Sequence, residues 1–338
     1  MSGRGDKLNR RQAVMWLAGL FAILAQATKA SAEPNAFPTK PITLIVAGPA
    51  GGSLDLVARS MQSALQTSLK QPVIIENRAA AGGTVAANEV AKSAPDGHTW
   101  LLGFNGPIAF APFLYKKLPY APQADLQPVV LTTAQPNLIA VNKQFAARNL
   151  AELIAVLKAS PDKHSYASVG NGSSSHLTME YLKLLTGTSI LHVPFNGGGL
   201  PAMQAMVSGD TQIIATVPST LMPLIAAGGL RAIAVTGSKR YTLLPDVPTV
   251  RESGIAALIN FESLAWNGVL VRAGTPRPTV DRINAAVNLA LKDTAAMARL
   301  RAAGLDPVGG TPETFAALIA SESKKWAPVI QSTGASID

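Results

Sequence analysis

The chain has 338 residues, of which 48% are hydrophobic and 14% are charged, and this balance excludes a disordered protein. Its length is enough for one large or two medium globular domains. The formal net charge is +9, but the basic residues are scattered and are not interleaved with aromatic residues, which argues against a nucleic-acid partner.

The first 32 residues have the pattern of a secretory signal. A basic start is followed by an apolar run over residues 13–27 and by the small residues at 30–32, so we expect cleavage after Ala32. The pair Arg10 and Arg11 leaves two export routes open, the twin-arginine route and ordinary secretion. An uncleaved anchor is disfavoured, because the run is shorter than the roughly 20 residues that span a bilayer. We therefore expect a periplasmic protein, with a mature net charge of +5 that suits small anions.

Short apolar strands and helical patterns alternate along the rest of the chain. The strand-like segments are, in order, ITLIVA, PVIIEN, HTWLLGF, PVVLTTA, NLIAVN, HSYASVG, SILHVPF, TQIIATV, RAIAVTG and LAWNGVLV. Helical stripes lie between many of them, as at Val57, Met61 and Leu65. This alternation predicts an α/β protein with largely parallel sheets and helices on both faces.

A chain of about 300 residues is large for one such sheet, so we expect two lobes joined by crossing strands. The best candidates for the crossings lie within residues 126–142 and 259–274. This predicts a discontinuous first domain of residues 37–136 plus 262–338 and a second domain of residues 137–261. Ligands of open α/β sheets bind beyond the carboxyl ends of the strands, so the cleft between the lobes is the expected binding site.

Five junctions between a strand and a helix consist of small or flexible residues. They are residues 47–53, 79–84, 170–177, 195–202 and 217–220. A helix N-terminus presents unpaired N–H groups and a partial positive charge, which makes it a site for phosphate, sulfate or carboxylate. Several such ends converging on one cleft would hold a small anion without any lysine or arginine.

The first junction, AGPAGGSLDLVAR, matches neither common nucleotide-binding motif. A P-loop needs a lysine and a hydroxyl residue after its last glycine, but Gly52 is followed by Ser53 and Leu54. GPAGGS also lacks the spacing of a dinucleotide fingerprint. Two interpretations of Asp55 stay open: it caps the helix, or it faces the cleft and binds a ligand amine.

The segment SSSHL, residues 173–177, raises the alternative of a hydrolase. Neighbours in sequence do not make a catalytic dyad, and the chain has no G-x-S-x-G motif. The other histidines, His98, His164 and His192, are widely spaced and show no metal-ligand pairing. We therefore expect no catalytic residue, no metal and no cofactor.

Eight longer motifs follow one another in a characteristic order. They are FPTKPITLIVAGPAGGSLDLVAR, ENRAAAGGTVAANEVAKSAPDGHTWLLG, LYKKLPY, YASVGNGSSSHL, HVPFNGG, RAIAVTGSKRYTLLPDVPTVRESG, VRAGTPRP and LDPVGGTPE. From about Phe37 onward the chain thereby resembles the Bug family, the extracytoplasmic solute receptors of tripartite tricarboxylate transporters. The resemblance implies a two-domain type II periplasmic-binding-protein fold, which closes like a flytrap on a small carboxylate held between the lobes.

The resemblance also implies which positions bind the ligand. In the first lobe they are Ala50, Gly51, Gly52, Ser53, Asp55, Ala81, Gly82, Gly83 and Thr84. In the second lobe they are Asn171, Ser173, Ser174, Ser175, His176, Phe195, Asn196, Gly197, Thr216 and Ser219. One carboxylate is expected at the first-lobe turns, and the far end of the ligand at the second lobe.

Several positions depart from the family pattern. Gly48 stands where the family often has a bulky, commonly aromatic residue, and Leu54 stands where a polar residue is common. Ala215 and Thr216 stand where the family commonly has Asp and Asn. Asn196 stands where a lysine is common, so a possible positive charge is absent there. We expect the ligand preference of this protein to depend on Gly48 and Leu54.

The expected function is that of a monomeric, non-enzymatic receptor. It would deliver a small carboxylate to the membrane subunits of a tripartite tricarboxylate transporter. A sensory role, in which the liganded receptor docks on a membrane sensor protein, is the alternative. A hydrolase built on the same fold is the third possibility.

Overall fold

The computed structural model of the protein describes residues 37–195, 199–334 and 336–337. The expected signal segment, residues 1–32, lies outside the described residues, as do Asn196 and Gly197 of the expected site. Lys40 is the first residue of the unit that carries both sheets.

The described residues form ten β-strands and eleven α-helices. The strands are β1 (Ile42–Val46), β2 (Val73–Asn77), β3 (Thr99–Phe104), β4 (Leu126–Pro136), β5 (Leu138–Asn142), β6 (Ser165–Ser168), β7 (Leu191–Pro194), β8 (Ile213–Thr216), β9 (Leu230–Val235) and β10 (Leu264–Arg272). The helices are α1 (Ser53–Leu69), α2 (Thr84–Ala91), α3 (Ala111–Leu114), α4 (Pro122–Asp125), α5 (Leu150–Ala159), α6 (Ser174–Thr186), α7 (Gly199–Ser208), α8 (Pro218–Ala226), α9 (Arg277–Leu291), α10 (Thr294–Ala302) and α11 (Pro312–Thr333). Each of the ten strand-like segments in the sequence overlaps one of these strands, because each is a short apolar run bounded by turn residues.

The strands form two five-stranded sheets. The first has the order β2-β1-β3-β10-β4, and the second has the order β7-β6-β8-β5-β9. The chain passes from the first sheet to the second between Pro136 and Leu138, and it re-enters the first sheet at Leu264. This arrangement confirms an α/β fold of two lobes joined by crossing strands. The residues at which the two domains begin and end stay a prediction.

The expectation of largely parallel sheets is wrong, because each sheet is mixed. In the first sheet β1 runs parallel to β2 and β3, whereas β10 runs antiparallel to β3 and β4. In the second sheet β6 runs parallel to β7 and β8, whereas β5 runs antiparallel to β8 and β9. Both β5 and β10 come directly from a crossing between the sheets. They therefore lack the helical crossover that makes a strand parallel to its neighbour.

Aromatic side chains connect the two lobes at the hinge side. Trp326 of α11 packs edge-on against Phe110 of the first lobe, with 5.3 Å between ring centroids. Tyr181 of α6 packs edge-on against the same tryptophan at 5.5 Å and stacks on Phe261 at 4.9 Å. Helices α11 and α6 therefore contact each other across the lobes. Among the described helices, none combines the length and the apolar character that a membrane span requires.

Candidate functional site

The first glycine turn, residues 48–52, joins β1 to α1 and is held in place by Asp55. The Oδ2 atom of Asp55 accepts hydrogen bonds from the backbone N–H of Gly51 at 2.9 Å and from Nε of Arg59 at 2.8 Å. Gly51 has a φ of 76°, which favours glycine. The N–H of Gly52 donates to the carbonyl of Pro49 at 3.1 Å. Two N–H groups of this turn are therefore used within the protein.

The pKa of the Asp55 carboxyl agrees with its role in holding the first turn. The residue is only 3% exposed, and burial by itself raises the pKa of its carboxyl. Hydrogen bonds from Arg59 and the Gly51 N–H, together with the nearby Asn77 amide, outweigh burial, so the pKa lies below its usual value. Asp55 is thus an ionised carboxylate with partners inside the protein. Of its two interpretations, the geometry favours the one in which it holds the start of α1.

The second glycine turn, Ala81–Gly83, precedes α2 and has an unusual backbone. Its three residues have φ values of 48°, 62° and 86°, all in the left-handed region. The hydroxyl of Thr84 donates to the carbonyl of Ala81 at 2.8 Å, and the hydroxyl of Tyr115 donates to the same oxygen at 3.1 Å. Ala81 and Gly82 are exposed, whereas Gly83 and Thr84 are buried. The turn is therefore rigidly held while its first two residues face outward.

In the second lobe, residues 170–173 join β6 to α6. Ser173 is the N-cap of the helix: its Oγ accepts from the N–H of His176 at 3.2 Å and donates to the carbonyl of Gly170 at 2.6 Å. This is the capping arrangement that serine at a helix start favours. The side chain of Ser173 is therefore occupied in shaping the turn.

The other two serines of this segment have different surroundings. The hydroxyl of Ser174 donates to Oδ1 of Asn137 at 3.4 Å. Ser175 is fully buried, and its hydroxyl finds no hydrogen-bond partner among the described residues. Neither is bonded to a histidine ring, so this segment lacks the geometry of a serine–histidine dyad.

His176 belongs to a buried stack of rings beneath the turn. Its Nδ1 accepts a hydrogen bond from the N–H of Gly172 at 3.2 Å. The ring of His192 lies on it, with 4.1 Å between centroids, and Tyr166 stacks on the far side of His192 at 4.7 Å. Nε2 of His192 lies 2.7 Å from the hydroxyl of Ser168. Ser168 is fully buried and His192 is half-buried, so the hydroxyl of this pair is closed to a substrate.

Both histidines of the stack are neutral at ordinary pH. Burial lowers the pKa of His176 to about 4, with a further contribution from the positive charge of Lys183. Burial, with a further contribution from the neighbouring His176, lowers the pKa of His192 to about 3. A neutral His176 keeps Nδ1 free to accept from Gly172, so the ring supports the turn above it.

The second turn of the first lobe and the turn of the second lobe lie face to face. A Cβ placed on Gly82 would lie 3.7 Å from the carbonyl oxygen of Asn171, and one placed on Gly106 would lie 3.2 Å from the carbonyl oxygen of Gly172. The residues around this gap are Gly82, Thr84, Gly106, Ala111, Leu114, Tyr115, Asn171, Gly172 and Ile337. The space between them is about 10 Å³, roughly what one water molecule needs. The cleft is therefore nearly closed at this point.

The remaining expected residues lie elsewhere. Thr216 is buried at the end of β8, where it pairs with Leu138. The backbone nitrogen of Ser219 is 3.5 Å from a Cβ placed on Gly304 of the first lobe, on a different part of the interface. Phe195 packs partly buried against the core of the second lobe. The structure thus brings together residues 82–84 and 171–172, but it places these three residues outside the gap.

Five residues of the gap were missed by the sequence analysis, namely Gly106, Ala111, Leu114, Tyr115 and Ile337. Leu114 and Tyr115 belong to the motif LYKKLPY, which carried the family resemblance but no predicted chemistry. Ile337 reaches the gap because its N–H donates to the carbonyl of Leu114 at 3.1 Å. Ile337 lies far from the other motifs in sequence, so no local sequence pattern predicts that it joins the gap.

Among the residues that the structure describes, none of those lining the gap is charged. Its lining consists of backbone, hydroxyl, amide and apolar groups. Within the part of the chain that the structure describes, no three side chains of histidine, aspartate or glutamate are grouped so that they could hold a metal ion.

Comparison with known proteins agrees with this architecture. The family described as "Tripartite tricarboxylate transporter family receptor" matches residues 57–335. The chain belongs to this family. It is a family of periplasmic solute receptors and not of enzymes, so the hydrolase alternative is excluded.

Individual relatives of the receptor family span nearly the whole chain. Protein BugT of Bordetella pertussis is 36% identical over 321 residues, which cover 94% of this chain and 97% of that protein. The solved structure "R. palustris Rpa4515 with adipate" is 31% identical with a TM-score of 0.80 and covers 88% of this chain and 98% of that one. MatC (Rpa3494) from Rhodopseudomonas palustris with bound malate is 36% identical with a TM-score of 0.78, covering 87% of this chain and 100% of that one. These similarities confirm the two-lobed periplasmic-binding-protein fold.

Proposed function

We propose that this receptor captures a small organic carboxylate by closing its two lobes and delivers it to the membrane subunits of a tripartite tricarboxylate transporter. The observation that carries the proposal is the meeting of two helix-initiating turns, residues 81–84 and 170–173, across a nearly closed gap. Helix N-termini present N–H groups and a partial positive charge, and both favour a carboxylate.

The uncharged lining supports a particular way of holding the ligand. Since none of the lining residues is a lysine or arginine, a carboxylate would be held by backbone N–H groups and by neutral side chains such as Thr84, Tyr115 and Asn171. Two relatives with 31% and 36% identity are described with adipate and with malate, which are both small dicarboxylates. The gap is too small for such a ligand, so the lobes have to separate to admit it.

We propose ligand contacts at fewer residues than the sequence analysis expected. We assign the first carboxylate to the backbone of Ala81–Thr84, with residues 50–53 at the outer edge of the cleft. We assign the far end of the ligand to Asn171 and the turn that Ser173 caps. Asp55, Ser175 and His176 would support these turns from below without contacting the ligand.

The test is a comparison of acids with their matching amides. At a concentration of 100 times its dissociation constant, a ligand stabilises the folded protein by about 2.7 kcal/mol, which for a chain of this size raises the melting temperature by about 5 °C. We expect malate or adipate to produce such a shift, and malamide or adipamide to produce none. Equal shifts with an acid and its amide would contradict carboxylate recognition.

The cellular setting follows the family. We propose a monomeric protein in the periplasm after cleavage behind Ala32, by either of the two export routes. Capture from solubilised membranes by the liganded receptor distinguishes its partners. Recovery of transporter subunits supports delivery, whereas recovery of a sensor protein supports the sensory alternative.

A further inference from the structure

Four buried polar residues form a connected group where the chain crosses between the lobes. Asn137 lies on the first crossing, between β4 and β5, and Ser263 lies on the second, just before β10. Thr236 bridges them. The N–H of Thr236 donates to the carbonyl of Asn137 at 2.9 Å, and the carbonyl of Thr236 accepts from the N–H of Ser263 at 3.0 Å. The two crossings are therefore tied to each other through backbone hydrogen bonds.

Thr178 ties the same crossings together through side chains. Nδ2 of Asn137 donates to Oγ1 of Thr178 at 2.9 Å, and the hydroxyls of Thr178 and Ser263 share a hydrogen bond of 2.6 Å. All three residues are fully buried. Thr178 belongs to α6, the helix whose N-terminus forms the ligand turn of the second lobe. One hydroxyl thus joins both crossings to that helix.

A second contact from the same amide reaches the turn itself. Oδ1 of Asn137 accepts from the hydroxyl of Ser174, the first residue of α6, at 3.4 Å. The amide therefore contacts α6 at two positions that are four residues apart, which is about one helical turn. Such contacts fix both the position of the helix start and its rotation about the helix axis.

Stability alone does not account for a polar group of this kind. A satisfied buried hydrogen bond adds little net free energy, and apolar groups of the same shape can replace it at little cost. A connected and fully satisfied network, in contrast, specifies one arrangement of the elements that it joins. The group lies where the chain crosses between the lobes, so the arrangement that it specifies is that of the two crossings and α6.

We propose that Asn137 and Thr178 are positioning residues that lock the ligand turn of the second lobe to both hinge crossings. Closure of the hinge then carries residues 170–173 to the opposing turn in one fixed orientation. This inference rests on the proposed function, since it assigns a role in carboxylate capture to residues that do not touch the carboxylate.

The test replaces Thr178 by valine, which keeps the shape and removes the hydroxyl, with Thr178→Ser as the matched control. Titration calorimetry with malate and adipate is carried out well below the melting temperature of each apo protein. We expect Thr178→Val to weaken binding at least tenfold and Thr178→Ser to stay within about threefold of the parent. If Thr178→Val only lowers the melting temperature and leaves the dissociation constant unchanged, the inference is overturned.

A ligand-free readout separates this inference from the proposed function. The chain contains no cysteine, so Lys117→Cys and Lys158→Cys allow one spin label near each sheet. We expect Thr178→Val to broaden the distance distribution of the apo protein, and an unchanged distribution overturns the inference even if the parent binds no carboxylate. Failure of the parent to bind any acid counts against the proposed function alone. If Thr178→Val does not fold, Ser263→Ala removes the other hydroxyl of the shared hydrogen bond. A broader distance distribution then supports the inference, and an unchanged distribution overturns it.

Discussion

Asp55 shows how a charged residue beside a glycine turn can be held by partners inside the protein. Its carboxylate accepts from Gly51 and Arg59 and is almost completely buried. A carboxylate at this place also opposes a second negative charge nearby. The N–H groups of Gly51 and Gly52 already donate within the protein, so they are less available to a carboxylate ligand.

This role predicts that Asp55→Ala lowers stability more than it alters ligand chemistry. The change removes the acceptor of the Gly51 N–H, and because Gly51 is exposed and water can replace that acceptor, the loss costs about 0.5–1.5 kcal/mol of unfolding free energy. Arg59→Ala is the matched control, because it removes the ion pair but leaves the bond to Gly51. Its effect should be much smaller, since 52% of the Arg59 side chain is exposed. Urea unfolding of the apo proteins measures both, and loss of malate binding without loss of stability would favour a ligand contact instead.

At the scale of elements, the turn before α2 depends on glycine for two reasons. Gly83 has a φ of 86°, and a Cβ placed on it would lie 2.8 Å from the ring of Phe104. The first feature is a backbone cost for any other residue, and the second is a steric clash inside the first lobe.

We therefore expect Gly83→Ala to be more destabilising than Gly187→Ala. Gly187 ends α6 with a φ of 63°, but nothing lies within 4 Å of a Cβ placed there. It carries the backbone cost alone, whereas Gly83 adds overpacking of about 1–3 kcal/mol. Denaturant unfolding of the two variants measures the loss of unfolding free energy in each. Equal losses would show that the side chain of Phe104 moves away from the new methyl group without cost. Ligand affinity should fall only in Gly83→Ala, because that turn faces the cleft.

Elements that are set by neighbouring residues can be predicted from the sequence, whereas those that depend on contacts between distant residues cannot. The apolar runs and the glycine junctions are local, so all ten strand segments and the helix that follows the junction at residues 170–177 could be predicted. The antiparallel direction of β10 depends on where the chain re-enters the first sheet, which no local pattern encodes. The candidate site divides in the same way: the glycine turns have a local signal, whereas Gly106 and Ile337 join the gap only through packing.

At the scale of the whole molecule, long-range attraction and local recognition are separate. The expected mature charge of +5 favours the approach of anions from a distance, but the described residues that line the gap carry no charge. Selectivity would therefore depend on the orientation of N–H groups and on how closely the turns approach when the lobes close. Such a site discriminates by ligand length and shape more than by net charge.

The buried histidine pair makes the stability of the molecule depend on pH in a defined window. In the unfolded chain a histidine takes up its proton near pH 6.5, whereas His176 in the folded protein does so only near pH 4 and His192 near pH 3. Between these values the unfolded state binds more protons than the folded state. Stability is therefore complete above about pH 6.5 and falls as the pH decreases below it.

The loss from His176 alone should reach about 3 kcal/mol by pH 4, because a tenfold difference in proton affinity between the folded and unfolded states corresponds to about 1.4 kcal/mol. Urea unfolding at pH 7.5, 6.5, 5.5 and 4.5 measures it. His176→Asn offers an oxygen that can still accept from the N–H of Gly172 but does not ionise, so its stability should fall less steeply over this range even if it starts lower. Parallel pH profiles for the parent and His176→Asn would contradict the assignment. Malate binding should not lose the support of His176 between pH 7.5 and 5.5, since the ring in the folded protein stays neutral until near pH 4 and Nδ1 still accepts from the N–H of Gly172.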